Sequence, residues 1–409
     1  MSEESKLPMR IGFRVGIFPK LSETFVLNQI NFLMQRGHEV VMLADAPPDA
    51  LENTLADDTR AARARTTYIL PRSDLLKSAY NALPFRVRRA MEARQERRLI
   101  ADCDAVVCNF GWFGARMEEA SKGMGAAGKL ATIFHGDDMS RHLSHGNENA
   151  YDELLKSGGL FLSVNRIWQE RLSARGAPDH ANLIHHLGVD PEKFSFIERQ
   201  KQDGDRIILT TVCRIVEKKG LATALDALNQ VRAKRPELDF EFRIYGDGPL
   251  RTSLKAKATA LGLNDIIRFK GMIPNAKLRK VFADADVFLH PSVVAEDGDM
   301  EGLPIAMMEA MATGLPIVST LHSGIPELVN HGVNGFLSPE GDVDHLTKQL
   351  IHVIEDHGIR AAMGRAARQT IETDFNINTS IDRLERLLYR LVEGDFRSAG
   401  AVTPKEAAE

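Results

Sequence analysis

Residues 207–233 read IILTTVCRIVEKKGLATALDALNQVRA, and this stretch decides the fold class. Its first part, IILTTVCRI, is a short run rich in β-branched residues, the pattern of a strand buried on both faces. A short basic turn closing on Gly220 follows, and Leu221 to Ala233 then carries apolar residues at helical spacing. Strand, loop and amphipathic helix in that order form the repeating unit of a parallel sheet.

The unit recurs outward in both directions. Downstream come the strand DFEFRIYG, a helix from Leu250 to Leu261, the strand IIRFKG, a helix near Asn275 to Ala285, and the strand DVFLHPS. Upstream, RIGFRVGIF is strand-like and SETFVLNQINFLMQRG reads as a helix ended by Gly37. HEVVMLA, DAVVCNF, LATIFHG and GLFLSVN are further strands. Between the two series lies the polar stretch SFIERQKQDGDR, Ser195 to Arg206, which reads as an interdomain linker. The expected architecture is α/β, with two doubly wound Rossmann-like domains over residues 1–195 and 206–375. The helical segment 376–393 is expected to pack back on the first. Ligands of such folds bind at the carboxyl ends of the strands.

Composition narrows the class. The chain has 409 residues, more than one hydrophobic core usually serves. Hydrophobic content of 44% and charged content of 26% are ordinary for a globular protein, and the net charge of −4 gives no sign of a nucleic-acid partner. The three cysteines, Cys103, Cys108 and Cys213, lack metal-ligand spacing and fit a reducing compartment. The opening MSEESKLPMR lacks the basic and apolar regions of a signal peptide. The near-apolar window Leu303–Val318 is too short to span a bilayer and contains Glu309 and Gly314. A cytoplasmic location is expected.

Several loops carry candidate chemistry. In EDGDMEGLPIAMMEA, residues 296–310, Pro304 suits the first turn of a helix. Gly302 and Leu303 would then present amides at the helix start, a ready anion site. Glu301 sits in the loop, and Glu309 interrupts an otherwise apolar helix. They could grip hydroxyls on either side of a bound phosphate, but spacing alone favours a solvated loop acid at Glu301 and an ion-paired helix residue at Glu309. Asp297-Gly298-Asp299 and Asp284-Ala285-Asp286 both match a D-x-D metal pattern, so the pattern carries little; a solvated acidic loop and no metal are expected. CRIVEKKG puts Arg214 and Lys219 in one strand-to-helix loop, able to meet a diphosphate or simply to face water. Gly246 and Gly248 in YGDGP mark a second glycine turn. In the first half, IFHGDD places His135, Gly136 and Asp137 after a strand, and FPKLSETF places Ser22, Glu23 and Thr24 at a strand-to-helix turn where capping residues need no function. HHLGVD (His185 to Asp190) reads as a turn toward the linker.

In order along the chain, IFHGDD, HHLGVD, CRIVEKKG, IYGDGPL, FKGMIP, DVFLHPS and the Glu301/Glu309 pair with EGLP resemble the retaining glycosyltransferases of family 4, which have the GT-B fold. FPKLSETFVLNQI and EDGDMEGLP narrow the resemblance to the bacterial colanic-acid and exopolysaccharide subgroup. The resemblance implies two Rossmann-like domains facing each other across a cleft, the first handling the acceptor and the second a nucleotide sugar. It implies that Glu301 contacts donor-sugar hydroxyls and Glu309 the ribose. Arg214 and Lys219 would meet the diphosphate, with Gly246, Gly302, Leu303 and Pro304 around it, and backbone near Lys270 to Ile273 would face the base. His135 would lie near the transferred sugar, with Ser22, Glu23, Thr24 and Asp137 on the acceptor side. Many relatives carry a glycine-rich loop where this chain has FPKLSETF.

The resulting expectation is a cytoplasmic transferase that moves a hexose from a nucleoside diphosphate sugar to a glycan, with a polyprenyl-linked acceptor and no cofactor. Transfer to a membrane glycolipid or lipopolysaccharide core, and a nucleotide-sugar binder or epimerase of the same fold, are the alternatives. Finally, Lys77 to Arg98 holds seven basic residues (Lys77, Arg86, Arg88, Arg89, Arg94, Arg97, Arg98) against two acids, Glu92 and Glu96. With Phe85, Val87, Ala90 and Met91 it reads either as a basic amphipathic helix on the inner face of an anionic membrane or as a solvated helix face.

Overall fold

The structure is a computed structural model that describes residues 7–20, 23–48, 59–70, 74–126, 128–144 and 146–396. Its residues fall into two compact units, Met1–His185 with Ile381–Glu409, and His186–Ser380.

The first unit is built on seven parallel strands: β1 Arg10–Ile17, β2 Glu39–Ala46, β3 Thr66–Tyr68, β4 Ala105–Asn109, β5 Leu130–Phe134, β6 Leu160–Ser163 and β7 Asn182–Ile184, in the order β3-β2-β1-β4-β5-β6-β7. Ile11 of β1 lies opposite Val40 on one side and Ala105 on the other. These central strands are mostly apolar because helices cover both faces; the exception inside β1 is the buried Arg14, which is paired with Glu96. Phe25, Val26, Gln29, Ile30 and Leu33 are the buried residues of the helix Thr24–Gln35, spaced to form one face.

In the second unit six parallel strands, β8 Ile207–Val212, β9 Phe240–Tyr245, β10 Ile267–Gly271, β11 Val287–His290, β12 Ile317–Thr320 and β13 Gly335–Ser338, run in the order β10-β9-β8-β11-β12-β13. The helix Leu221–Lys234 buries Leu221, Ala224, Leu225, Leu228 and Val231 against Phe242, Leu209 and Val287. Each large aliphatic group so buried is worth roughly 1.5–3 kcal/mol.

In both sheets the strand order reverses about a central pair, β1/β4 in one and β8/β11 in the other. Crossovers leave in opposite directions there and open a crevice at the strand carboxyl ends. The loops singled out in the sequence follow these strands and their neighbours.

The stretch Ser195–Arg206 is not a free linker. The Arg199 guanidinium donates to the carbonyls of Ala285 (2.6 Å), Phe282 (2.9 Å) and Thr313 (2.9 Å), and Lys201 pairs with Asp286 at 2.6 Å. This polar segment is held by the second unit because its cations find carbonyls and a carboxylate there. At the other end, the helix Ile377–Glu393 places Glu385 against Arg36 (3.1 Å) and His38 (3.0 Å) of the first unit.

Candidate functional site

In the second unit the loops after β8, β11 and β12 interlock. Gly220, at φ +62°, ends the loop after β8, and a Cβ there would fall 1.7 Å from the Pro291 carbonyl oxygen. Gly246, at φ +122°, similarly abuts the Cys213 carbonyl, where a Cβ would lie 1.8 Å away. Both positions therefore need glycine so that neighbouring loops can close on each other. The close approach at Gly246 is to the protein's own backbone.

This packing brings Lys219 to Glu301, Nζ to Oε1 at 2.5 Å, with both side chains largely buried. Burial would raise the Glu301 pKa, but Lys219, then Lys218 and the His290 ring hold it well below the usual carboxylate range. His290 Nε2 faces the same oxygen at 3.5 Å and Ser292 Oγ stands 3.5 Å from it. Glu301 is not a solvated loop acid; it is a charge kept ionised inside the fold.

Glu309 takes the opposite course. It lies on the buried face of the helix Ile305–Ala312, its carboxyl group has no hydrogen-bond or ion-pair partner among the described residues, and burial pushes its pKa up to about 8 despite Lys193. It is not an ion-paired helix residue. Pro304 stands one position before the helix rather than in its first turn. The amides of Met307 and Met308 both reach the Pro304 carbonyl, while those of Leu303, Ile305 and Ala306 have no acceptor among the described residues. A helix start with open amides beside a lysine and two buried carboxylates can take an anion and grip hydroxyls next to it.

The remaining residues singled out in this half separate clearly. Arg214 is exposed in the loop after β8, and its guanidinium has no partner among the described residues. Ile273 is half-buried after β10, and Gly302 is half-buried beside the buried Leu303. Asp299 is no solvated acid: it is 4% exposed and accepts from Lys218 at 2.8 Å. Asp286 is likewise spent on Lys201 and on the Ile208 amide. Among the described residues no group of three His, Cys, Asp or Glu side chains is placed to hold a metal ion. HHLGVD is more than a turn, since a Cβ on Gly188 would fall 2.6 Å from the Ile377 Cα and His186 bonds Glu327 at 2.8 Å.

In the first unit, His135 follows β5 and is 7% exposed. Its ring lies 4.5 Å from Phe25 and 4.7 Å from Phe110, centroid to centroid, and Nε2 stands 3.0 Å from Asn109 Oδ1. Burial lowers its pKa to about 3, so it is neutral near pH 7, and Nε2 carries the proton that Asn109 accepts. Asp138 accepts from the amides of Gly111, His135 and Gly136. Asp137 instead pairs with Arg141 at 2.7 Å. Thr24 opens its helix, and Glu23, the residue before it, is bound to Lys20 at 2.6 Å rather than capping. Ser22 lies outside the described residues.

Sequence reasoning missed Asn109, Asp138, Lys218, His290, His322 and Ser323. Asp138 sits in the quoted IFHGDD beside the residue that was singled out. The others carry no spacing signal, because their partners are distant in the chain.

Comparison with known proteins identifies the family and the fold. Residues 192–370 match the family model for glycosyl transferases group 1. The amylovoran biosynthesis glycosyltransferase AmsK of Erwinia amylovora is 35% identical over 411 residues, covering 94% of this chain and 100% of the relative. The putative colanic acid biosynthesis glycosyltransferase WcaL of Escherichia coli K12 is 35% identical over 410 residues, covering 94% and 100%. Among solved structures, Anabaena Alr3699/HepE in complex with UDP superposes with a TM-score of 0.72 at 19% identity, covering 93% of this chain and 100% of that one. Sucrose-phosphate synthase from Thermosynechococcus elongatus gives 0.71 at 16% identity, covering 94% and 99%. The chain belongs to the group 1 glycosyl transferases and is a glycosyltransferase of the GT-B fold.

Proposed function

We propose that this enzyme transfers a hexose, with retention of anomeric configuration, from a nucleoside diphosphate sugar to a lipid-linked glycan during exopolysaccharide or other cell-surface polysaccharide assembly. The observation that carries the reading is the Lys219–Glu301 pair beside the open helix start at Leu303, Ile305 and Ala306, with unpartnered Glu309 on that helix. Relatives named for amylovoran and colanic acid synthesis support the polysaccharide assignment, and a fold neighbour solved with UDP supports the donor class.

In this reading Glu309 accepts ribose hydroxyls, which offset its desolvation. Arg214, Lys219 and the open amides receive the diphosphate, Gly246 keeps the adjoining loop closed, and Ile273 lies toward the base. Glu301 orients the hexose through its hydroxyls. The acceptor oxygen bonds to the anomeric carbon as the bond to the diphosphate breaks, and the departing phosphate oxygen takes the acceptor's proton. The cationic loop and the amides stabilise the charge growing on that leaving group. His135, neutral and hydrogen-bonding, serves the transferred sugar. No metal or cofactor is required. The test is to supply labelled UDP-, GDP- and dTDP-hexoses with a lipid-linked glycan extract. Label moving to the glycan with its configuration retained is expected; label that only changes form or stays bound contradicts the proposal.

A membrane-surface role rests on a separate feature. The helix Phe85–Asp102 exposes Arg86, Arg94, Arg97 and Arg98 together with Phe85, Val87 and Met91. Arg89 does not share in this, because it is turned to Glu96 at 2.9 Å and Glu119 at 3.1 Å. No helix among the described residues is long and apolar enough to cross a membrane. In this proposal the exposed arginines draw the protein to the inner face of an anionic membrane, where lipid-linked acceptors reside.

A further inference from the structure

The loop from Val293 to Glu301 is held at both ends by one carboxylate–imidazole pair, a buried His322 and a partly exposed Glu340. We infer that His322 and Glu340 are positioning residues that fix the Glu301 loop in its working conformation before a donor arrives; this rests on Glu301 acting on the donor.

His322 lies just after β12 and is fully buried. Its Nε2 stands 3.0 Å from the Glu301 amide nitrogen, and its Nδ1 stands 2.6 Å from Glu340 Oε1. The two contacts leave the ring one form. An amide N–H can only donate, so Nε2 is the bare acceptor, and Nδ1 carries the proton and donates to Glu340. The other oxygen of Glu340 accepts the Val294 amide at 2.8 Å. A single carboxylate thus ties the start of the loop directly and its end through the imidazole.

The next residue completes the grip. Ser323 donates its hydroxyl to the Glu301 carbonyl at 2.6 Å, and it does so from φ +46°, a conformation that a non-glycine residue adopts only under constraint. The Glu301 peptide groups are therefore held on both sides by consecutive residues, while Lys219 holds the carboxylate. Lys218 adds bonds to Asp299 (2.8 Å) and the Met300 carbonyl (3.1 Å). A carboxylate whose backbone and charge are both fixed loses little freedom on meeting a sugar, which is how orienting residues raise turnover.

The test uses the full chain. In the parent protein, ¹⁵N–¹H spectra of the His322 ring are expected to show a protonated Nδ1 and a bare Nε2; an Nε2-protonated ring overturns the inference without any variant. In kinetics with the nucleotide-sugar donor that supports transfer, His322→Leu is expected to lower kcat by roughly 10–100-fold with donor KM changed far less. His322→Gln, whose amide oxygen can accept the Glu301 N–H, is expected to recover most of that loss. Glu340→Ala, at a partly exposed position, provides the same loss where the Leu variant does not fold. Parent-like kcat in Glu340→Ala or His322→Leu, or no recovery with Gln at equal Tm, overturns the inference. Glu301→Gln is run alongside: if it too keeps parent turnover, the donor-site reading itself has failed, whereas loss in Glu301→Gln alone rejects only the positioning role.

Discussion

His135 and Glu301 lie in two similar scaffolds, each in a loop at the carboxyl end of a parallel sheet, His135 after β5 and Glu301 after β11. They solve burial in opposite ways. His135 is surrounded by Phe25 and Phe110, gives one hydrogen bond to Asn109 and has its pKa lowered to about 3, so it carries no charge. Glu301 is as well buried, yet Lys219, Lys218 and His290 keep it ionised. A neutral aromatic cup suits an uncharged sugar ring. A loop cluster of compensated charges suits an anionic leaving group, because added negative charge meets cations already in place.

The largest effect is expected from removing the charge at the second site. Glu301→Gln should lower kcat on the order of 10²-fold, with donor affinity much less affected, as steady-state kinetics with a saturating donor can measure. Unaltered turnover would erase the distinction between the two sites.

Arg214 and Lys219 differ in one respect: among the described residues only the Lys219 side chain has a partner. Arg214→Ala should weaken nucleoside diphosphate binding with Tm unchanged. Lys219→Ala should weaken binding and also destabilise, since it strips a buried carboxylate of its main counter-charge. Such a loss costs roughly 3–5 kcal/mol when nothing compensates, and less here because Lys218 remains. Calorimetry and thermal unfolding on the same variants check both statements.

Glu309 provides a smaller effect with a definite sign. Its folded pKa of about 8 lies above that of an unfolded glutamate, so its protonated form belongs to the ligand-free fold. That contribution is complete below about pH 4.5 and is lost as pH rises through about 8. Glu309→Gln should therefore unfold at a higher temperature than the parent above pH 8 and lose the advantage toward acid, with ~2–4 °C for each kcal/mol gained. The same variant should bind nucleotide less tightly.

His135 reverses that sign. With its pKa lowered to about 3, it favours the fold above the ordinary histidine range and withdraws support as pH falls through about 3. The pH profile of kcat/KM should show no titration assignable to His135 near neutrality, and His135→Gln should leave that profile's shape intact while lowering its height.

The fold was legible because parallel strands buried on both faces must be apolar, and the helices between them must repeat every three to four residues. IILTTVCRI and DVFLHPS show this without any partner. Pairings between remote residues were not legible. Nothing in the spacing of Glu92 and Glu96 separates a solvated helix acid from Glu96 as it stands, fully buried between Arg14, Arg89 and Arg116. Ser195–Arg206 reads as a linker because its composition is polar; Arg199 is half-buried and bonded to carbonyls that composition cannot reveal. The residues around Glu301 followed the same rule: Glu301 itself stood out by its place before Gly302 and Pro304, whereas His322 and Glu340 reach it only through the fold.

The loops after β8 and β11 are expected to receive a nucleoside diphosphate. Titration calorimetry of the metal-free protein in EDTA, with UDP, GDP and dTDP in turn, addresses this directly. One of the three is expected to bind in a single site, and Arg214→Ala and Lys219→Ala are each expected to weaken it, with the double variant losing less than the sum because both act on one diphosphate. Equal affinity in the parent and the double variant, or binding that appears only when manganese is restored, would contradict this expectation.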